Sequence, residues 1–257
     1  MEYLASLQIP ETLWNFRDEL GWLAVGAILA GVVRGFSGFG TAMVFLPFAS
    51  SVVQPVWALI ILCIMDIIGP TLMSPKMARN ANAGELVRLT IGAAVAMPFG
   101  IALLEMLSHG MFRYAVSLLT LCLVAVMASG WRYHGTSSNM AVFGIGGLGG
   151  LLAGATGLPG PPVMLFYLAR PLPTVSIRAN IFIYLILADV LLLAMLSIRG
   201  WLSPEPVYAG FAIALIYLAA LGIGSLLFRP GREGEYRIAA YAIIAGSAVL
   251  GLINPIG

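Results

Sequence analysis

The sequence predicts an all-α integral membrane protein built as two inverted repeats, each a short broken helical hairpin plus three transmembrane helices, with about 8–10 membrane segments. Three observations carry this prediction: a scarcity of charge, a series of apolar runs near membrane-crossing length, and the recurrence of that series halfway along the chain. Asp, Glu, Lys and Arg make up 9% of the 257 residues and hydrophobic residues 60%, where a soluble domain carries roughly 25% charge. So few charges cannot clothe an aqueous surface. The length suits one polytopic bundle, so a single transmembrane domain over 1–257 is expected, with repeat 1 at about 20–132 and repeat 2 at about 139–256.

Residues 1–20 lack the basic start and small-residue cleavage site of a signal peptide, and the segment is expected to be retained. Pro10 can open a helix there, and Leu13, Trp14 and Phe16 beside Arg17, Asp18 and Glu19 suggest a short interfacial segment. Apolar runs follow at 21–36, 41–53, 56–73, 87–107 and 112–131. The pattern then restarts at 141–155, 162–168, 180–198, 207–228 and 236–253. The two sets align in residue detail. Gly31, Gly35 and Gly38 lie over Gly150, Gly154 and Gly157, and Ser37 meets Thr156. Farther on, Phe99-Gly-Ile101 lies over Leu221-Gly-Ile223 and, after a two-residue insertion, Phe112-Arg113 over Tyr236-Arg237.

Charge placement chooses between parallel and inverted halves, because cytoplasmic loops are enriched in Lys and Arg. With the N-terminus outside, the inverted arrangement puts Arg34, Lys76, Arg79, Arg88, Arg132, Arg170, Arg178, Arg229, Arg232 and Arg237 toward the cytoplasm. Only Arg17, Arg113 and Arg199 fall outside. The parallel arrangement splits the charges nearly evenly, so inverted halves with both termini outside are expected. A net charge of +2 without a basic patch is too small to argue for nucleic acid, and no nucleic-acid partner is expected. Cys63 and Cys122 sit in apolar runs without metal-ligand or redox spacing and read as packing residues.

Chemistry is expected where the helix pattern breaks. Gly35-Phe-Ser-Gly-Phe-Gly-Thr41 and Gly154-Ala-Thr-Gly-Leu-Pro-Gly-Pro-Pro162 occupy equivalent places and are rich in residues that interrupt or start helices. Broken backbone at membrane depth must be buried in protein or line a wet cavity. The helices that restart there expose positive N-terminal ends, and Gly40, Thr41 and Gly160 can donate amide N–H groups, so an anion is the natural guest. The other reading of the glycines is close helix packing. Arg34, matched by Ala153 in the second half, is either the charge that selects an anion or an arginine reaching toward headgroups. Asp66 and Asp189 lie mid-span and match one another in the repeat. Such acids either take up and release protons or hold a broken helix end or an arginine. Asn180 is a weaker polar candidate that reads equally as an N-cap. Glu105, His109 and His134 read as solvated end and loop residues. No nucleophile, zinc or nucleotide motif supports an enzyme, and no cofactor or metal is expected.

Ala30–Ser50, AGVVRGFSGFGTAMVFLPFAS, and Gly150–Ala169, GLLAGATGLPGPPVMLFYLA, resemble the paired glycine-rich signatures of the TauE/SafE sulfite exporter family. The resemblance implies a permease of the bacterial inner membrane for small sulfur-containing anions such as sulfite, sulfoacetate or related sulfonates. It places the signature on Gly35, Ser37, Gly38 and Gly40, and on Gly154, Thr156, Gly157, Gly160 and Pro161. Phe39-Gly40-Thr41-Ala42 and Arg34 depart from the commoner pattern and leave the particular anion open. The expected function is a secondary transporter of such anions, with Arg34 and the helix N-termini holding the guest and Ser37, Thr41 and Thr156 donating to it. Asp66 and Asp189 would respond to protons. The rivals are a passive anion or solute channel and a scaffold subunit of a sulfur-metabolising system. The expected partners are a small anion and the lipid bilayer, and a homo-oligomer is left open.

Overall fold

The computed structural model describes residues 17–71, 79–129, 138–227 and 233–253. The N-terminal residues Pro10, Leu13, Trp14 and Phe16, together with Lys76, Arg132, His134, Arg229 and Arg232, lie outside them. Among the described residues there are ten helices and no strand: α1 (Arg17–Ser37), α2 (Thr41–Ala49), α3 (Pro55–Thr71), α4 (Ala83–Met106), α5 (His109–Ala128), α6 (Asn139–Thr156), α7 (Gly160–Leu168), α8 (Thr174–Ile198), α9 (Pro204–Leu227) and α10 (Glu233–Ile253). Seven of them are long and apolar enough to cross a membrane, and α3 contributes a shorter apolar helix over Pro55–Gly69. The chain is therefore a multi-pass membrane protein. Each apolar run of the sequence contains a helix, and a nine-residue helix stands second in each set of five.

Most helices begin before their apolar run, and in three of them a polar side chain closes the first turn. The side chains of Asn82, Ser108 and Ser138 accept from the backbone N–H of Glu85, Met111 and Ala141 at 3.2, 3.3 and 3.2 Å. Each cap satisfies a donor that the helix cannot pair internally. Asn180 corrects an expectation. It is six residues inside α8, whose N-cap is Pro173, and its carboxamide accepts from Asn82 N at 2.8 Å and donates to Ser176 O at 2.8 Å.

The halves interlock. The first helix of each half packs along the fourth helix of the other, α1 on α9 and α6 on α4, and the two third helices, α3 and α8, meet directly. The seams run along glycines that permit backbone contact. A Cβ on Gly35 would stand 2.6 Å from Ser225 N, and one on Gly154 would stand 2.7 Å from Ile101 N. Small residues hold helices together in lipid, where no hydrophobic force separates protein from solvent. The bundle exterior is correspondingly apolar, with Phe99 69% and Leu226 86% exposed.

Side-chain contacts sort the helix ends into two groups. In the first, Trp22 Nε1 donates to Ser51 Oγ at 2.9 Å, the His109 ring meets Ser50 O at 2.8 Å, and Arg199 pairs with Glu105. In the second, Asn82 meets Asn180, Glu85 accepts from Arg170 at 2.8 Å and from Tyr167 Oη at 3.1 Å, and Tyr236 Oη donates to Leu227 O at 2.7 Å. Glu105 and His109 are exposed, as a solvated position requires, yet both sit at helix ends and each has a partner.

Candidate functional site

The hairpins turn on glycines in the left-handed region. Gly38 has φ 81° and Gly40 φ 96° between α1 and α2, and Gly157 has φ 73° between α6 and α7. A side chain at these angles costs about 1–3 kcal/mol, so glycine is what lets each helix stop and reverse within three residues. The α2 helix returns toward the first group of ends, where Ser51 meets Trp22. The α7 helix returns toward the second, where Tyr167 meets Glu85. The two tips meet between them and line one cavity with α3 and α8.

That cavity holds about 390 Å³ of empty space, including its open part, and is lined by Arg34, Gly40–Met43, Asp66, Gly157–Pro161, Met164, Leu185 and Asp189. Eight residues singled out in the sequence are thereby brought together: Arg34, Gly40, Thr41, Gly157, Gly160, Pro161, Asp66 and Asp189. The remaining ones stand elsewhere. Gly35 and Gly154 lie in the glycine seams. Ser37 Oγ donates to the carbonyls of Val33 or Phe39, at 2.7 and 2.9 Å, and so closes its own turn. Thr156 Oγ1 donates to Leu152 O at 2.9 Å. Gly38 sits beside the Arg178 guanidinium, and Asn180 ties α8 to the start of α4.

Arg34 is 5% exposed, and its Nη2 is buried without a hydrogen-bond partner among the described residues. Its guanidinium carbon stands 5.8 Å from the Phe182 ring centre. An arginine held in the protein interior at a cavity wall is not reaching to headgroups, and an unpaired buried donor is costly unless something fills the space before it. The α2 N-terminus adds further donors. Its N-cap, Gly40, offers no side chain to the first-turn N–H groups, and these carry the helix's partial positive charge. In α7 the first turn contains Pro161 and Pro162, so Gly160 supplies its early N–H.

The two acids are buried, Asp66 at 6% and Asp189 at 4% exposure, but their surroundings differ. Asp66 Oδ1 stands 3.1 Å from Thr41 Oγ1 and 3.0 Å from Tyr217 Oη, and these hydroxyls are 3.0 Å apart. Asp189 Oδ1 has the Cys63 thiol at 3.8 Å. Sequence reasoning missed Tyr217. It lies in an apolar run of α9, and the repeat sets it opposite Val95, so no pairing drew attention to it. Met164 and Leu185 gave no signal beyond apolarity. Cys63, expected to be a packing residue, is buried and carries the one thiol at the site; Cys122 is exposed. Among the described residues no cluster of three His, Cys, Asp or Glu could hold a metal ion.

The arrangement can receive a small anion against a guanidinium and helix N-termini, with carboxylates close enough to answer its charge. Comparisons with curated proteins and with solved structures returned no match. The family model for the sulfite exporter TauE/SafE matches residues 23–250, nearly the whole described bundle and both hairpins, and the chain belongs to that family.

Proposed function

We propose that the protein is a secondary transporter of small sulfur-containing anions, such as sulfite or sulfonates, which it moves chemically unchanged and coupled to protons across a bacterial inner membrane. The observation that carries this reading is the buried, unpartnered Nη2 of Arg34 at the cavity formed by the two hairpin tips. Family membership supports the choice of a sulfur anion. The buried carboxylates in the same cavity support proton coupling, because an anion brought beside Asp66 and Asp189 is repelled unless a proton offsets its charge. In this reading Arg34, Thr41, Gly40 and Gly160 contact the anion. Gly157 and Pro161 shape the tip, and Gly35, Ser37, Gly38, Gly154 and Thr156 serve the site by building the hairpins.

The two halves are inverted in the same reading. In support, α3 starts in the first group of helix ends and its counterpart α8 starts in the second. Arg79, Arg88, Arg170, Arg178 and Arg237 belong to the second group, whereas Arg113 and Arg199 belong to the first. The second group is then cytoplasmic by the positive-inside rule, with both chain termini on the periplasmic side.

The test is counterflow in proteoliposomes of purified protein loaded with sulfite, thiosulfate or methanesulfonate. Saturable exchange is expected for wild type. In Arg34→Gln, loss of the charged contact should reduce exchange by at least about tenfold, the equivalent of 1.4 kcal/mol. Non-saturating flux would instead make the protein a channel, and the absence of any flux would contradict transport.

A further inference from the structure

Among the described residues, Arg34, Asp66 and Asp189 are the charged groups at the cavity wall. With all three ionised the empty cavity carries one negative charge in excess, and a monoanion would make that two. One proton taken up with the anion leaves the total unchanged. The two acids are not equivalent as its acceptor. Asp66 Oδ1 faces two hydroxyls, Thr41 Oγ1 and Tyr217 Oη, and with their protons held within this triangle an ionised Asp66 receives at least one donated hydrogen bond. Bonds donated to a carboxylate favour its ionised form. Among the described residues Asp189 Oδ1 meets only the Cys63 thiol, a weak donor, at 3.8 Å. The repeat explains the asymmetry, because the position matching Thr41 is Gly160 and the position matching Tyr217 is Val95.

We infer that Asp189, and not Asp66, is the group that takes up a proton as the anion binds and releases it as the anion leaves, while Asp66 remains the fixed countercharge to Arg34. The inference rests on the anion-transport reading above. The titratable groups around Asp189 are Asp66 and Cys63 from α3, Arg34 from α1 and Tyr184 on its own helix. The α6–α7 hairpin lines the cavity beside it with Gly157, Pro159, Gly160, Pro161 and Met164, none of which titrates. On α4, Glu85 and Glu105 are held at the helix ends by Arg170 and Arg199, and Arg88 lies one turn from the start. A proton from water on the open side goes to an Asp189 oxygen, and no bond of the anion is made or broken.

The experiment measures proton uptake when methanesulfonate or ethanesulfonate, monoanions with no proton to give near neutral pH, is added to purified protein in weak buffer. One proton per anion bound is expected, with the apparent Kd rising about tenfold per pH unit above the titration of the site. Asp189→Asn should bind without proton uptake and without that pH dependence. Asp66→Asn should still take up the proton. Infrared difference spectra of otherwise intact protein give an independent reading. A protonated-carboxyl C=O band should appear on anion addition, shift in Cys63→Ala and stay in place in Tyr217→Phe. Binding without proton uptake, or a band that moves in Tyr217→Phe and not in Cys63→Ala, overturns the inference while leaving anion transport standing. Failure of wild type to bind either anion overturns both.

Discussion

Burying a guanidinium with one nitrogen unpartnered costs more than the roughly 1–3 kcal/mol of an unsatisfied neutral group, so the position of Arg34 has to be sustained by its surroundings. Nearby acids do part of that, and in the proposed reading a guest anion does the rest. Asp66, Thr41 and Tyr217 form a closed triangle of oxygens near 3 Å apart. Tyr217→Phe and Thr41→Val should each lower stability by about 1–3 kcal/mol, with the double variant less than additive because both hydroxyls share one acceptor. Thermal unfolding of the four proteins of this cycle measures it, and strict additivity would dissolve the triangle. Much of this site was legible. An arginine before a break and two acids matched across a repeat stand out in an apolar chain. Tyr217 did not, because a lone tyrosine in a transmembrane run looks like packing until another helix is seen to bring an acid to its hydroxyl.

At the scale of the element, the glycines divide by what faces them. Gly154 lies against the α4 backbone, with Ile101 N 2.7 Å from where its Cβ would be, whereas Gly222 has open space. Gly154→Ala should therefore destabilise by at least about 1–3 kcal/mol, since backbone cannot step aside like a flexible side chain. Gly222→Ala should be neutral or stabilising by up to about 1 kcal/mol, as alanine is the better helix former. Equal melting shifts in detergent would contradict the seam. The same contrast explains why the sequence could locate the hairpins but not sort their glycines. Gly-Pro-rich breaks announce a turn, while Gly35 and Gly38 look alike until one meets α9 and the other takes a positive φ. Helix starts were missed by up to six residues, at α8, because hydropathy cannot see a polar first turn that is still helical.

For the whole molecule, the apolar runs foretold the all-helical bundle, and the arginine distribution underlies its proposed sidedness. What sequence could not supply was the interlock, in which the first helix of each half leans on the fourth of the other. Contacts between distant segments leave no periodic trace. The proposed orientation predicts that alkaline phosphatase fused after Gly257 is active in intact cells and that a fluorescent protein fused there is dark. It also predicts that a cysteine at Arg178 is labelled only from the cytoplasmic side. The opposite pattern would invert the assignment of the two groups of ends.

The central claim is that the meeting hairpin tips bind an anion through Arg34, and thermal stabilisation of the purified protein tests it most directly. At about 100 times its dissociation constant, a bound anion should add roughly 2.7 kcal/mol. The account predicts that sulfite, thiosulfate or a small sulfonate raises the melting temperature, that sulfate and small carboxylates do so less, and that Arg34→Gln removes the effect. Equal stabilisation of wild type and Arg34→Gln, or none by any anion, would contradict it.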